Sequence, residues 1–149
     1  MDWIALFRDF FEREHERIRT ILDAGGCREG WLQGQLFLCG RHLGLKTNAT
    51  ARKYDLYCEQ PRMFAELKIC GGDYMAKMQW AIECDIAKLR AAPSATDRYM
   101  ILVVDDRHPE ERLGAWLRSC MLDGAPCWEQ RFDTVLIRIW RVKAVPQAM

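Results

Sequence analysis

KYDLYCEQPRMFAELKI, running from Lys53 to Ile69, is where the hydrophobic period of this chain changes from three and four to two. In its first half Tyr54, Leu56 and Cys58 alternate with Asp55 and Tyr57. In its second half Phe64, Glu66 and Lys68 alternate with Ala65, Leu67 and Ile69. Side chains of a strand point to opposite faces in turn, so the pattern predicts two strands. Glu59-Gln60-Pro61-Arg62 falls between them and predicts a turn, where proline costs no ladder hydrogen bond. The same alternation sets Glu66 and Lys68 on one face, with Asp55 brought near by the hairpin, while Leu56, Leu67 and Ile69 take the other.

Outward from the hairpin the period is helical. Trp31, Leu32, Gln35, Leu36, Leu38, Cys39 and Leu43 predict a helix over about 28–42 with Gly44 at its stop. Trp3, Ile4, Phe7, Phe10, Phe11, Ile18, Ile21 and Leu22 predict an earlier one over Trp3–Leu22, ended by Gly25 and Gly26. Downstream, Met75, Met78, Ala81, Ile82, Ile86 and Leu89 predict a helix from about Asp73 to Ala91, closed by Pro93. Tyr99–Val104 is a short apolar run expected to be a buried strand. Pro109–Met121 predicts a helix with proline in its first turn, and Thr134–Val142 a last strand. There Arg138 and Arg141, with Lys143 just beyond, would give a charged edge that discourages pairing with another sheet. Helices and strands mixed in this order imply an α/β fold, a central mixed sheet with helices on both faces. The 149 residues suit one domain, with a core over about 28–105, an N-terminal helix within 2–23 and a C-terminal helix and strand within 109–142.

Composition narrows the function classes. Half the residues are apolar and 29% are charged, the profile of a folded globular chain. No run reaches the roughly 18 apolar residues of a membrane span, and Asp2, Arg8, Asp9 and Glu12 stand where a signal peptide would be apolar, so a cytoplasmic location is expected. Seven cysteines with no CxxC pair read as reduced thiols and not as disulfides or structural zinc. His15, His42 and His108 have no ligand or nucleophile spacing. A net charge of +1 gives no overall basic footprint for nucleic acid, although 16 of the 22 basic residues are arginine, the better phosphate ligand.

A carboxylate or ammonium on a strand covered by helices needs a partner, a metal ion or solvent. Asp55, Glu66 and Lys68 are therefore the candidate site. Two carboxylates a few ångströms apart suit Mg²⁺, which usually takes one or two protein carboxylates, waters and substrate phosphate oxygens. A surface ion-pair trio is the plainer alternative, and the apolar opposite face of the hairpin argues against it.

With Asp55 eleven residues ahead of Glu66-Leu67-Lys68, the stretch resembles the D…ExK hairpin of the PD-(D/E)XK, or restriction-endonuclease-like, nuclease superfamily. Tyr54 stands where the family name has proline. The resemblance covers about residues 28–105, including a preceding helix (CREGWLQGQLF), a following helix (DYMAKMQWAIECDIAKLRAA) and an apolar strand (YMILVVDD). It implies a restriction-endonuclease-like fold and hydrolysis of phosphodiester bonds, with DNA the expected substrate. Asp55, Glu66 and the Leu67 carbonyl would hold Mg²⁺, or Mn²⁺ in its place, with support from Glu29. Lys68 would serve the attacking water, and Lys77 and Gln79 would contact the substrate. Glu29 also suits a helix start for the dipole alone. The competing expectation is a non-catalytic inhibitor or accessory protein on the same fold. In either case the aromatic helix of Trp3, Phe7, Phe10 and Phe11 offers an interface for a homodimer or partner protein.

Overall fold

In a computed structural model, which describes residues 1–25, 28–47, 54–70, 77–93, 96–107 and 112–146, the chain is a mixed α/β fold. Its elements are α1 (Trp3–Ala24), α2 (Arg28–Gly40), a 3-10 turn (Arg41–Leu43), β1 (Lys46–Thr47), β2 (Leu56–Glu59), β3 (Arg62–Cys70), α3 (Met78–Arg90), β4 (Asp97–Asp105), α4 (Arg112–Ser119), β5 (Trp128–Phe132) and β6 (Val135–Arg141). The six strands form one sheet in the order β1-β2-β3-β4-β6-β5. Among the described strands only β3 and β4 pair in parallel, joined by the α3 crossover; the other described strand pairs are antiparallel. No helix among the described residues is long and apolar enough to cross a membrane.

The alternation read from the sequence divides the core in two. Leu56, Ala65, Leu67, Ile101, Val103, Ile137 and Ile139 face α1 and α2. Tyr57, Phe64, Met100, Leu102, Leu136 and Trp140 face Ile82, Ile86 and Leu89 of α3 and Leu117 of α4. Asp2 caps α1 by accepting a hydrogen bond from the Ala5 amide at 3.0 Å, and Gly25 ends it in the left-handed conformation, φ 75°. Trp3, Phe7, Phe10 and Phe11 are all buried. The aromatic surface expected to offer an interface is thus spent inside the chain, against Tyr99 and Trp128 among others.

Several expectations change. The helices expected from Asp73 and Pro109 begin at Met78 and Arg112 in the described part; Asp73 and Pro109 lie outside the described residues, as do Gly26 and His108. Asp55 sits in a bend one residue ahead of β2, not within the strand. β1 and β5 were not legible. β5 is exposed between its half-buried ends, so it has no alternation to betray it, and it is held by Trp128 and Phe132 at those ends, the latter stacked on His15.

Because β5 covers β6, the arginines there are not an edge. Arg138 is 4% exposed and donates to the Leu117 and Cys120 carbonyls at 2.9 and 2.8 Å, so it caps the end of α4; its Nε pairs with Glu129 at 2.5 Å. Arg141 donates to the Tyr99 hydroxyl. Replacing Arg138 with leucine strands those buried carbonyls, and the expected cost is about 3 kcal/mol by urea unfolding. A change near zero would mean that water satisfies them.

Candidate active site

The site exists because β2 is short. β2 pairs with β3 only as far as Leu56 opposite Ala65, whereas β3 runs on to Cys70. Beyond that point β3 has β4 on one side and no strand partner on the other among the described residues. Buried amides left in this way must find other acceptors. They find carboxylates: Asp55 Oδ2 accepts from the Leu67 amide at 2.9 Å, and Glu29 Oε2 from the Ile69 amide at 3.4 Å. Gln33 of α2 fixes the bend by donating to the Asp55 carbonyl at 2.8 Å. The vacant ladder positions of β3 therefore draw one carboxylate from the hairpin and one from the first turn of α2 to the same edge.

Glu66 and Lys68 share the face of β3 that looks toward α3. Glu66 is 2% exposed and meets the Lys88 ammonium of α3. Lys68 Nζ lies 3.1 Å from Asp85 Oδ2 and 3.3 Å from Glu29 Oε1, with Lys88 Nζ 3.8 Å from the other Asp85 oxygen. Tyr54 stacks on Phe64, and its ring lies under Lys88 at 5.3 Å. The structure thus brings together Glu29, Asp55, Glu66 and Lys68 and adds Asp85 and Lys88. Those two were missed, although Asp85-x-x-Lys88 on the apolar side of α3, between Ile82, Ile86 and Leu89, carried the same signal of charge on a buried face. Lys77 and Gln79 do not join the cluster. Both are exposed, and Gln79 Nε2 donates to Glu83 at 3.2 Å.

Four carboxylates face two ammonium groups here, and the imbalance shows in their ionisation. Burial, together with a hydrogen bond and charge repulsion from Asp55, pushes the Glu66 carboxyl up to about 9. For Lys68, burial disfavours the charge, but Glu29, Asp85 and Asp55 outweigh it and hold the ammonium above lysine's ordinary range. Lys68 is therefore a fixed cation near neutral pH.

No family model, curated protein or solved structure matches the chain. What the site can do has to come from its own atoms. Among the described residues no group of three or more His, Cys, Asp or Glu side chains is arranged to hold a metal ion. The donors nevertheless suit a hard cation that brings its own waters. Glu66 Oε1 and Asp85 Oδ2 are fully buried and accept no well-formed hydrogen bond; each faces a lysine ammonium. Such carboxylate oxygens, beside Asp55, are the kind that Mg²⁺ or Mn²⁺ takes one or two of.

Proposed function

We propose that the chain is a divalent-metal-dependent nuclease that hydrolyses phosphodiester bonds in DNA, on a restriction-endonuclease-like arrangement of helix, hairpin, helix and strand. The observation that carries this reading is the meeting of Glu29, Asp55, Glu66 and Lys68 along the unpaired half of β3. The order α2, β2, β3, α3, β4 supports it, because the resemblance implies the same succession around a D…ExK hairpin.

Asp55 and Glu66 are the metal ligands in this reading, with the Leu67 carbonyl, which leaves β3 on the same side as the amide that holds Asp55. Mg²⁺ or Mn²⁺ bound there supplies positive charge to the phosphoryl oxygens and a more acidic water. Glu29 supports the site by orienting Lys68. Lys68, already protonated and two residues past Glu66 on the same face, donates hydrogen bonds: it orients the attacking water and offsets charge that builds on the phosphate. It does not take the water's proton.

The test is the thermal midpoint in EDTA and in Mn²⁺, beside plasmid nicking. Saturating Mn²⁺, at about a hundred times its dissociation constant, is expected to add about 2.7 kcal/mol of stability and to support nicking. Both effects are expected to vanish in Glu66→Ala. If metal changes neither the midpoint nor the DNA, the six side chains are a structural ion cluster, and the chain is a non-catalytic binding protein.

A further inference from the structure

We propose that Lys88 is the resident counter-ion of the site: its ammonium stands against Glu66 in the place a divalent cation takes, and it moves to Asp85 when the cation arrives. The inference rests on the metal-dependent reading above and adds a residue to it. Its basis is the difference between the two lysines.

Lys68 is held from two sides, by Glu29 and Asp85, and its side chain is 19% exposed. Lys88 leans directly on Glu66 Oε1, its side chain is 32% exposed, and it rises from the last turn of α3. Asp85, one helical turn back, already lies 3.8 Å from its Nζ, and the Tyr54 ring flanks it at 5.3 Å. A second acceptor, an aromatic face and solvent all lie within reach of its four-carbon stem. Leaving Glu66 thus costs Lys88 no burial of an unpaired charge.

Glu66 has no comparable freedom. It is buried in the middle of β3, and its Oε1 is sealed from solvent, so whenever its carboxyl ionises it needs a cation in contact, and Lys88 is the one that stands there. A divalent ion on Oε1 and an ammonium on the same oxygen repel each other at contact distance, so the two exclude one another. Lys88 then supports the fold while the metal is absent and competes with it on entry. Once displaced to Asp85 it remains at the mouth of the site, alongside Lys68, as a second positive charge for the substrate phosphate.

A lysine that does not stand in the metal's place shifts metal affinity only slightly when removed. Lys88→Met is instead expected to bind Mn²⁺ at least tenfold more tightly than the wild type, read from the free-ion signal in electron paramagnetic resonance with the full chain and no DNA. A second measurement uses the unaltered protein. Mild acylation of amines followed by peptide mapping is expected to label Lys88 several-fold faster when Mn²⁺ is added, with the exposed Lys143 as the unchanged reference. If wild type binds Mn²⁺ and Lys88→Met binds it equally or more weakly, the counter-ion role is overturned while the metal site stands. Should the variant not fold, labelling decides: an unchanged Lys88 rate in Mn²⁺-bound wild type overturns it equally. Absence of Mn²⁺ binding by wild type and variant alike removes both this role and the metal-dependent reading.

Discussion

Lys68→Met is expected to slow plasmid nicking by about 10²–10⁴-fold, the range lost when a positioned catalytic side chain is removed, while leaving Mn²⁺ binding at least as tight as in the wild type. The split follows from where the ammonium sits. Lys68 is not a ligand; it bonds Glu29 and Asp85 at 3.3 and 3.1 Å. Its charge opposes a metal ion and favours a developing phosphate charge, so its loss affects binding and turnover in opposite senses. Methionine keeps the stem's packing, Glu29 is 40% exposed and can take up water, and Asp85 retains Lys88 at 3.8 Å, so the fold is expected to survive. Single-turnover nicking at saturating Mn²⁺, paired with a metal titration, separates the two effects. A rate within twofold of the wild type would remove Lys68 from the chemistry. A lysine acting as the base would lose activity below its own ionisation, whereas the structure holds it charged, so the wild-type pH profile should show no inflection from Lys68 in the neutral range.

The elements that were legible are those whose period is enforced by two separate cores. β3, β4 and β6 alternate because the helices on each side of the sheet take every second residue, and α1 shows a full apolar stripe because its whole inner face is buried. The apolar contacts of β5 come from its ends, Trp128 and Phe132, and a residue run that is mostly exposed carries no period to read. The trio of Asp55, Glu66 and Lys68 was legible because charge on an alternating, half-apolar hairpin is costly wherever it lies. Asp85 and Lys88 carried the same cost but sit on a helix whose exposed face is also charged, so sequence alone did not separate them from Lys77, Gln79 and Glu83. The role of Asp55 as acceptor for the Leu67 amide depends on where β2 stops, a boundary set by pairing register and not by local pattern. Arg138 was misplaced for a related reason: whether a strand is an edge depends on the next strand, and β5 was the one not seen.

Glu66→Gln is expected to raise the stability of the metal-free protein at pH 8.5 by at least about 2 kcal/mol while abolishing the stabilisation by Mn²⁺, because glutamine is a neutral group of the same shape that takes up no proton on folding. The sign comes from proton linkage. In the folded chain the Glu66 carboxyl titrates at about 9, against 4.5 for the ordinary side chain. Between those values the folded state holds a proton that the unfolded chain has lost, so stability falls as pH rises through this window and is greatest near its acid end. Glutamine at position 66 has no proton to lose, and the slope due to this group disappears with it. Metal binding runs the other way, since a cation requires the ionised carboxylate, so Mn²⁺ should stabilise the wild type more at pH 8.5 than at pH 6. Urea unfolding of both proteins in EDTA and in Mn²⁺, at pH 6, 7.5 and 8.5, gives all four curves. Parallel pH slopes for wild type and variant in EDTA would mean that the Glu66 carboxyl keeps its ordinary ionisation in the folded chain and would overturn this prediction.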